Sequence, residues 1–151
     1  MLRPAAPAGD RPLMLGKTDQ PALAHADQDP LCEDALKHAL GAHLKSLGWT
    51  ASKVAFGKTL GIDIDATKGS ERWIIEVKGC GSRPAMRVNY FLALLGELLQ
   101  RMTDGNMKYS IALPDLPQFR GLWKRLPDVA KTRTKITALF VDGDGHVIED
   151  P

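Results

Sequence analysis

Two short runs, Ile62–Thr67 and Arg72–Lys78, flank a gap that contains Gly69-Ser70. Glycine at the first of two loop positions suits a type II′ turn, so the spacing predicts a tight β-hairpin. In that hairpin the numbers of paired residues sum to 139, and Asp63 faces Glu76. Strand side chains alternate, so Asp63 and Asp65 share one face and Ile62 and Ile64 take the other. On the second run Glu76 and Lys78 share a face, while Trp73, Ile75 and Val77 point the opposite way.

Directly opposed residues have Cβ atoms ~5 Å apart. Two ionised carboxylates at that distance repel by about 3 kcal/mol at an effective dielectric near 20. A sheet has little reason to accept this unless positive charge lies between them. Mg²⁺ or Mn²⁺, bound by carboxylates, a backbone carbonyl and water, is the natural occupant. Lys78 stands beside the pair, where it could orient or deprotonate a water and offset charge in a phosphorane-like transition state.

The rest of the chain supplies layers to either side. Asp29-Pro30 opens a helix expected to run to Gly48, with Asp29 as N-cap and an apolar stripe of Leu36, Leu40, Leu44 and Leu47. Glu33 falls on that stripe, and an unpaired buried carboxylate is costly, so it needs a cation, a partner or a wet cleft. A first-turn acid favoured by the helix dipole is the plainer account of it. A strand is expected over Thr50–Phe56, and Gly57-Lys58-Thr59 forms a loop that lacks the first glycine of a phosphate-binding loop. A second helix, Pro84–Met102, would bury Val88, Phe91, Leu92, Leu95, Leu98, Leu99 and Met102. Then follow a strand at Lys108–Leu113, a helix at Phe119–Leu126 and a strand at Ile136–Val141. The turn Asp142-Gly-Asp-Gly145 comes next, with His146–Ile148 able to pair back. This order implies an α/β domain with a mixed sheet between helices.

These elements resemble the restriction endonuclease-like nuclease superfamily, whose signature is PD-(D/E)xK. The likeness is greatest to its archaeal Holliday junction resolvase and Mrr-type branches. The matching residues are Glu33 in the first helix, Asp63 in Gly61-Ile-Asp-Ile-Asp-Ala66, and Glu76-Val-Lys78 at a strand end. Ile62 stands where the signature has proline. The resemblance spans about residues 30–113 and implies a three-layer αβα fold around a central mixed β-sheet. It further implies Mg²⁺- or Mn²⁺-dependent hydrolysis of phosphodiester bonds. Asp63 and Glu76 would be metal ligands aided by the Val77 carbonyl, Lys78 the catalytic lysine and Glu33 an auxiliary ligand.

Composition narrows the partners. The chain of 151 residues carries 20 Lys+Arg against 18 Asp+Glu, yet residues 83–135 hold ten basic side chains against Glu97, Asp104, Asp115 and Asp128. A basic segment of this kind suits a polyanion. Arg83, Arg87 and Asn89 begin the second helix, where cations oppose the dipole, so phosphate contact is one reason for them. Lys124 and Arg125 belong to the same basic surface. DNA is the expected partner, branched or damaged forms included, and enzymes of the superfamily often act as homodimers. The longest apolar run, Phe91–Leu95, is far short of the ~20 residues that span a bilayer. No secretory signal is evident and Cys32 and Cys80 are too few for a disulfide framework, so a cytoplasmic protein is expected. Residues 1–29, with four prolines, are expected to be a flexible leader ahead of a nuclease-like domain at 30–151. Two other readings remain open. One is a non-catalytic module that binds nucleic acid or protein and retains the fold; the other is an unrelated α/β protein in which Asp63 and Glu76 are not neighbours.

Overall fold

The computed structural model describes residues 29–151, so the expected leader, Asp29 apart, lies outside the described residues. Helix α1 is Glu33–Ser46, β1 Thr50–Val54, β2 Ile64–Lys68 and β3 Glu71–Val77. A 3-10 turn, Pro84–Met86, leads into α2, Arg87–Arg101. Then come β4 (Lys108–Pro114), α3 (Pro117–Lys124), α4 (Asp128–Thr134), β5 (Thr137–Val141) and β6 (Val147–Asp150). The six strands lie in chain order, antiparallel from β1 to β3, parallel from β3 to β5, and antiparallel again at β6.

Helices cover both faces. On one, Leu36, Leu40 and Leu44 of α1 pack against Ile64, Trp73, Ile75, Val77, Leu139 and Val141. On the other, Phe91, Leu94 and Leu98 of α2 and Phe119, Leu122 and Trp123 of α3 pack on Ile74, Tyr109, Ile111, Leu113 and Phe140. The result is the expected three-layer α/β/α sandwich around a mixed sheet. Among the described residues no helix is long and apolar enough to cross a membrane.

The hairpin has the expected register: Ile64 pairs with Ile75, Ala66 with Trp73 and Lys68 with Glu71. Gly69 has φ of +60° and Ser70 is not left-handed, as a type II′ turn requires. Four local expectations are corrected. Asp29 caps a turn through its Oδ1, which accepts the Leu31 N–H at 3.0 Å, and α1 starts only at Glu33. β2 starts at Ile64, two residues late; the chain bends at 61–63, and Ile62 packs on the α2 side instead of sharing the Ile64 face. Leu47 lies beyond α1 and is 44% exposed. α4 was not expected, because its seven residues bury no side chain fully and so carry no apolar period.

The buried stripe of α2 is also narrower than its composition suggests. Val88, Leu92 and Leu99 face outward, Leu92 at 59% exposure, while Leu94, absent from the expected stripe, is buried. Truncation should separate the two faces. Leu98→Ala should cost about 2–5 kcal/mol and Leu92→Ala about 0.5 kcal/mol or less, measured by urea denaturation.

Candidate active site

The end of β3 is where the three layers meet in a cleft. Its opening, about 400 Å³, is lined by Glu33, the loop Gly57–Gly61, Asp63, Glu76, Val77, Lys78, Glu97 and Arg101. Each acid arrives from a different element. Glu33 opens α1, Asp63 sits in the bend before β2, and Glu76 is the penultimate residue of β3. The expected signature residues Asp63, Glu76, Val77 and Lys78 are thus brought together, with Glu33 beside them. The alternative in which Asp63 and Glu76 are apart is overturned.

Asp63 is fixed on three sides. Its carbonyl accepts the Ala55 N–H at 2.8 Å, its Oδ2 accepts the Val77 N–H at 2.9 Å, and its Oδ1 lies 2.8 Å from Lys37 Nζ. Glu76 is 2% exposed, and its Oε1 takes Arg101 Nε at 3.1 Å. Burial, then a hydrogen bond with Asp63 and that neighbour's charge, push the Glu76 carboxyl up to about 7; Arg101 opposes the shift without cancelling it. Glu76 therefore holds its proton to a higher pH than an exposed glutamate does. Lys78 is less committed: its ammonium is 3.6 Å from Glu33 Oε2 and 5.7 Å from the centre of the Tyr90 ring, and about a third of it is exposed.

Two cations in this cluster carry weak sequence signals. Lys37, one turn beyond Glu33, is buried at 2% exposure. Its ammonium donates to Glu33 Oε1 at 2.9 Å and to the Ala55 carbonyl at 2.6 Å, besides meeting Asp63. Burial pulls the Lys37 pKa down, but hydrogen bonds to Asp63 and Glu33 more than offset this, and it stays above the ordinary lysine value. Arg101 closes α2 at the same spot. The i, i+4 spacing of Glu33 and Lys37 is the signal available for the first; Arg101 has none beyond its place at a helix end.

Gly79 sets how closely α1 approaches the site. A Cβ there would lie 2.7 Å from the Glu33 nitrogen and 3.1 Å from the Leu31 carbonyl, both backbone atoms. The neighbouring Cys80 N–H donates to that carbonyl at 3.1 Å. A second opening, about 490 Å³, continues from Glu33 and Lys78 along Gly79–Ser82 to Tyr90.

The expected nucleic-acid contacts are more dispersed. Arg83 and Asn89 are exposed. Arg87 is tied inward, its Nε donating to the Cys80 carbonyl at 3.3 Å and its guanidinium reaching Gln118 at 3.4 Å. Lys124 and Arg125 are exposed at the end of α3, and none of these five lines either opening. Lys58, in the loop that mimics a phosphate-binding loop, does line the cleft. Asp65 holds Arg72 in a two-pronged pair at 2.9 and 2.6 Å. Asp142 accepts the N–H groups of Asp144 and His146, so its segment is a hairpin turn. Both cysteines are unbridged.

The donor set suits Mg²⁺ or Mn²⁺: two carboxylates and a backbone carbonyl are hard oxygen ligands, and the open cleft leaves room for water. Substitution of Gly79 by Ala should cost about 1–3 kcal/mol in chemical denaturation and weaken whatever depends on Glu33, because backbone must shift. A carboxyl whose folded pKa is raised binds more protons folded than unfolded. Its contribution to stability is therefore full below pH ~4.5 and is lost as pH rises through about 7. Relative to the wild type, Glu76→Gln should gain about 1–3 kcal/mol between pH 5 and pH 8, measured by parallel urea melts.

No family model matches the chain, and no curated protein matches it in sequence. Among solved structures, it is similar to an XisH family protein from Nostoc punctiforme, with a TM-score of 0.52 and 18% identity over 75% of this chain and 95% of that one. It is also similar to an fdxN element excision controlling factor protein from Anabaena variabilis, with a TM-score of 0.47 and 17% identity over 76% and 96%. At this identity the likeness to the Nostoc protein is one of fold.

Proposed function

We propose that this chain is a metal-dependent nuclease-type domain that hydrolyses phosphodiester bonds in DNA. The supporting observation is the convergence of Asp63 and Glu76 on one wall of an open cleft that also holds Lys78. Asp63 and Glu76, with the Val77 carbonyl, would hold Mg²⁺ or Mn²⁺. When bound, the ion supplies Lewis-acid polarisation of the phosphoryl group and offsets charge on the leaving 3′ oxygen.

The chain's own residues account for the remaining tasks. Lys78, 3.6 Å from Glu33 Oε2 and partly exposed, would orient a water and stabilise negative charge that develops on the phosphorus-bound oxygens. The Val77 N–H and the Ala55 N–H hold Asp63 in place before any substrate arrives. The basic surplus of residues 83–135 would hold the DNA backbone without reading its sequence.

A second reading has its own support. Around the cleft four carboxylates (Glu33, Asp63, Glu76, Glu97) meet four cationic side chains (Lys37, Lys58, Lys78, Arg101). Such a site has no excess of negative charge that calls for an added ion, as suits a module that binds nucleic acid or protein and does not cut. Incubation with linear, branched, mismatched and flapped DNA in Mn²⁺ and Mg²⁺ separates the two. Cleavage of at least one substrate is expected, and Asp63→Asn or Lys78→Ala should lower it by at least a hundredfold while leaving the circular-dichroism spectrum unchanged. Retention of DNA binding with no cleavage of any substrate selects the module.

A further inference from the structure

We propose that Lys37 is a resident cation filling the space between Glu33 and Asp63. The cleft then takes one divalent ion, on the Asp63–Glu76 side, and has no room for a second. This deepens the metal-dependent reading above and rests on it. The Lys37 ammonium has three protons and three oxygens around it: Glu33 Oε1 at 2.9 Å, Asp63 Oδ1 at 2.8 Å and the Ala55 carbonyl at 2.6 Å. They come from three separate segments of chain. Two carboxylates and a backbone carbonyl are also the donors that a hard divalent ion selects. Here they are taken by a side chain that is 1% exposed.

A second ion in this space would have to displace a buried ammonium held by two hydrogen bonds and an ion pair, or sit against its charge. On the far side of Asp63 the situation is different. Oδ2 faces the end of β3, where it accepts a neutral backbone N–H, and Glu76 lies beside it. Glu33 is then a counter-charge for Lys37 and, through its other oxygen, for Lys78; it is not itself a ligand.

Calorimetric titration of the full chain with Mn²⁺, with bound ion counted by electron paramagnetic resonance, tests this. One ion per chain is expected for the wild type and two for Lys37→Gln, and the Glu33→Gln/Lys37→Gln double variant should return to one. Two ions in the wild type, or one in a folded Lys37→Gln, would overturn the inference while leaving the metal-dependent reading standing. No ion in the wild type with binding in Lys37→Gln would support Lys37 as the occupant and sink that reading. No ion in any form would end both. Should Lys37→Gln not fold, Glu33→Gln decides: affinity within about threefold of wild type supports a counter-charge, and a loss beyond tenfold overturns it.

Discussion

A single ammonium ties the candidate site together. Lys37 bonds the first turns of α1 to the segment that follows β1 and to the bend that precedes β2. A buried cation of this kind is tolerated only because three oxygens surround it, two of them charged. The partners are equally dependent: Asp63 and Glu33 would be carboxylates crowded at the mouth of an apolar layer without it. Such an arrangement adds little net stability over a well-packed apolar cluster, but losing one member is expensive. It therefore fixes geometry more than it strengthens the fold.

Glu76 follows a different rule. It is more buried than Asp63 and its cation, Arg101, comes from the far end of a helix on the other layer. Desolvation and the neighbouring acid prevail over that guanidinium, so the site near neutrality carries less negative charge than its three acids imply. Anything positive that enters competes with a proton on Glu76, whereas on the Glu33 side it competes with a lysine.

The pairing of Asp63 with Glu76 is legible in the sequence because a two-residue loop fixes register and strands repeat every two residues. The three layers are legible from the order of elements and from the Leu36, Leu40 and Leu44 spacing. Other features are not. Lys37 lies about 40° from Glu33 on the helical wheel, at the margin of the apolar stripe, and a lysine there is ordinarily solvated. Its burial depends on Ala55 and Asp63, which are distant in sequence. Gly79 is demanded by backbone contact with Glu33 and Leu31, which no local pattern reports. The outward face of α2 misleads because leucine marks burial only on average, and Leu92 and Leu99 remain in solvent.

The strand order has a temporal corollary. Every cleft residue lies between Glu33 and Arg101, so all of them have left the ribosome before any of β4 has. Yet β3, which carries Glu76, gains its second neighbour only when Lys108–Pro114 pairs with it, and the α2-side core needs Tyr109, Ile111 and Leu113 from that strand. A nascent chain thus holds every residue that lines the cleft before it has the scaffold that aligns them. Synthesis of β4 gives β3 its second neighbour, while the α1-side core still awaits Leu139 and Val141 of β5.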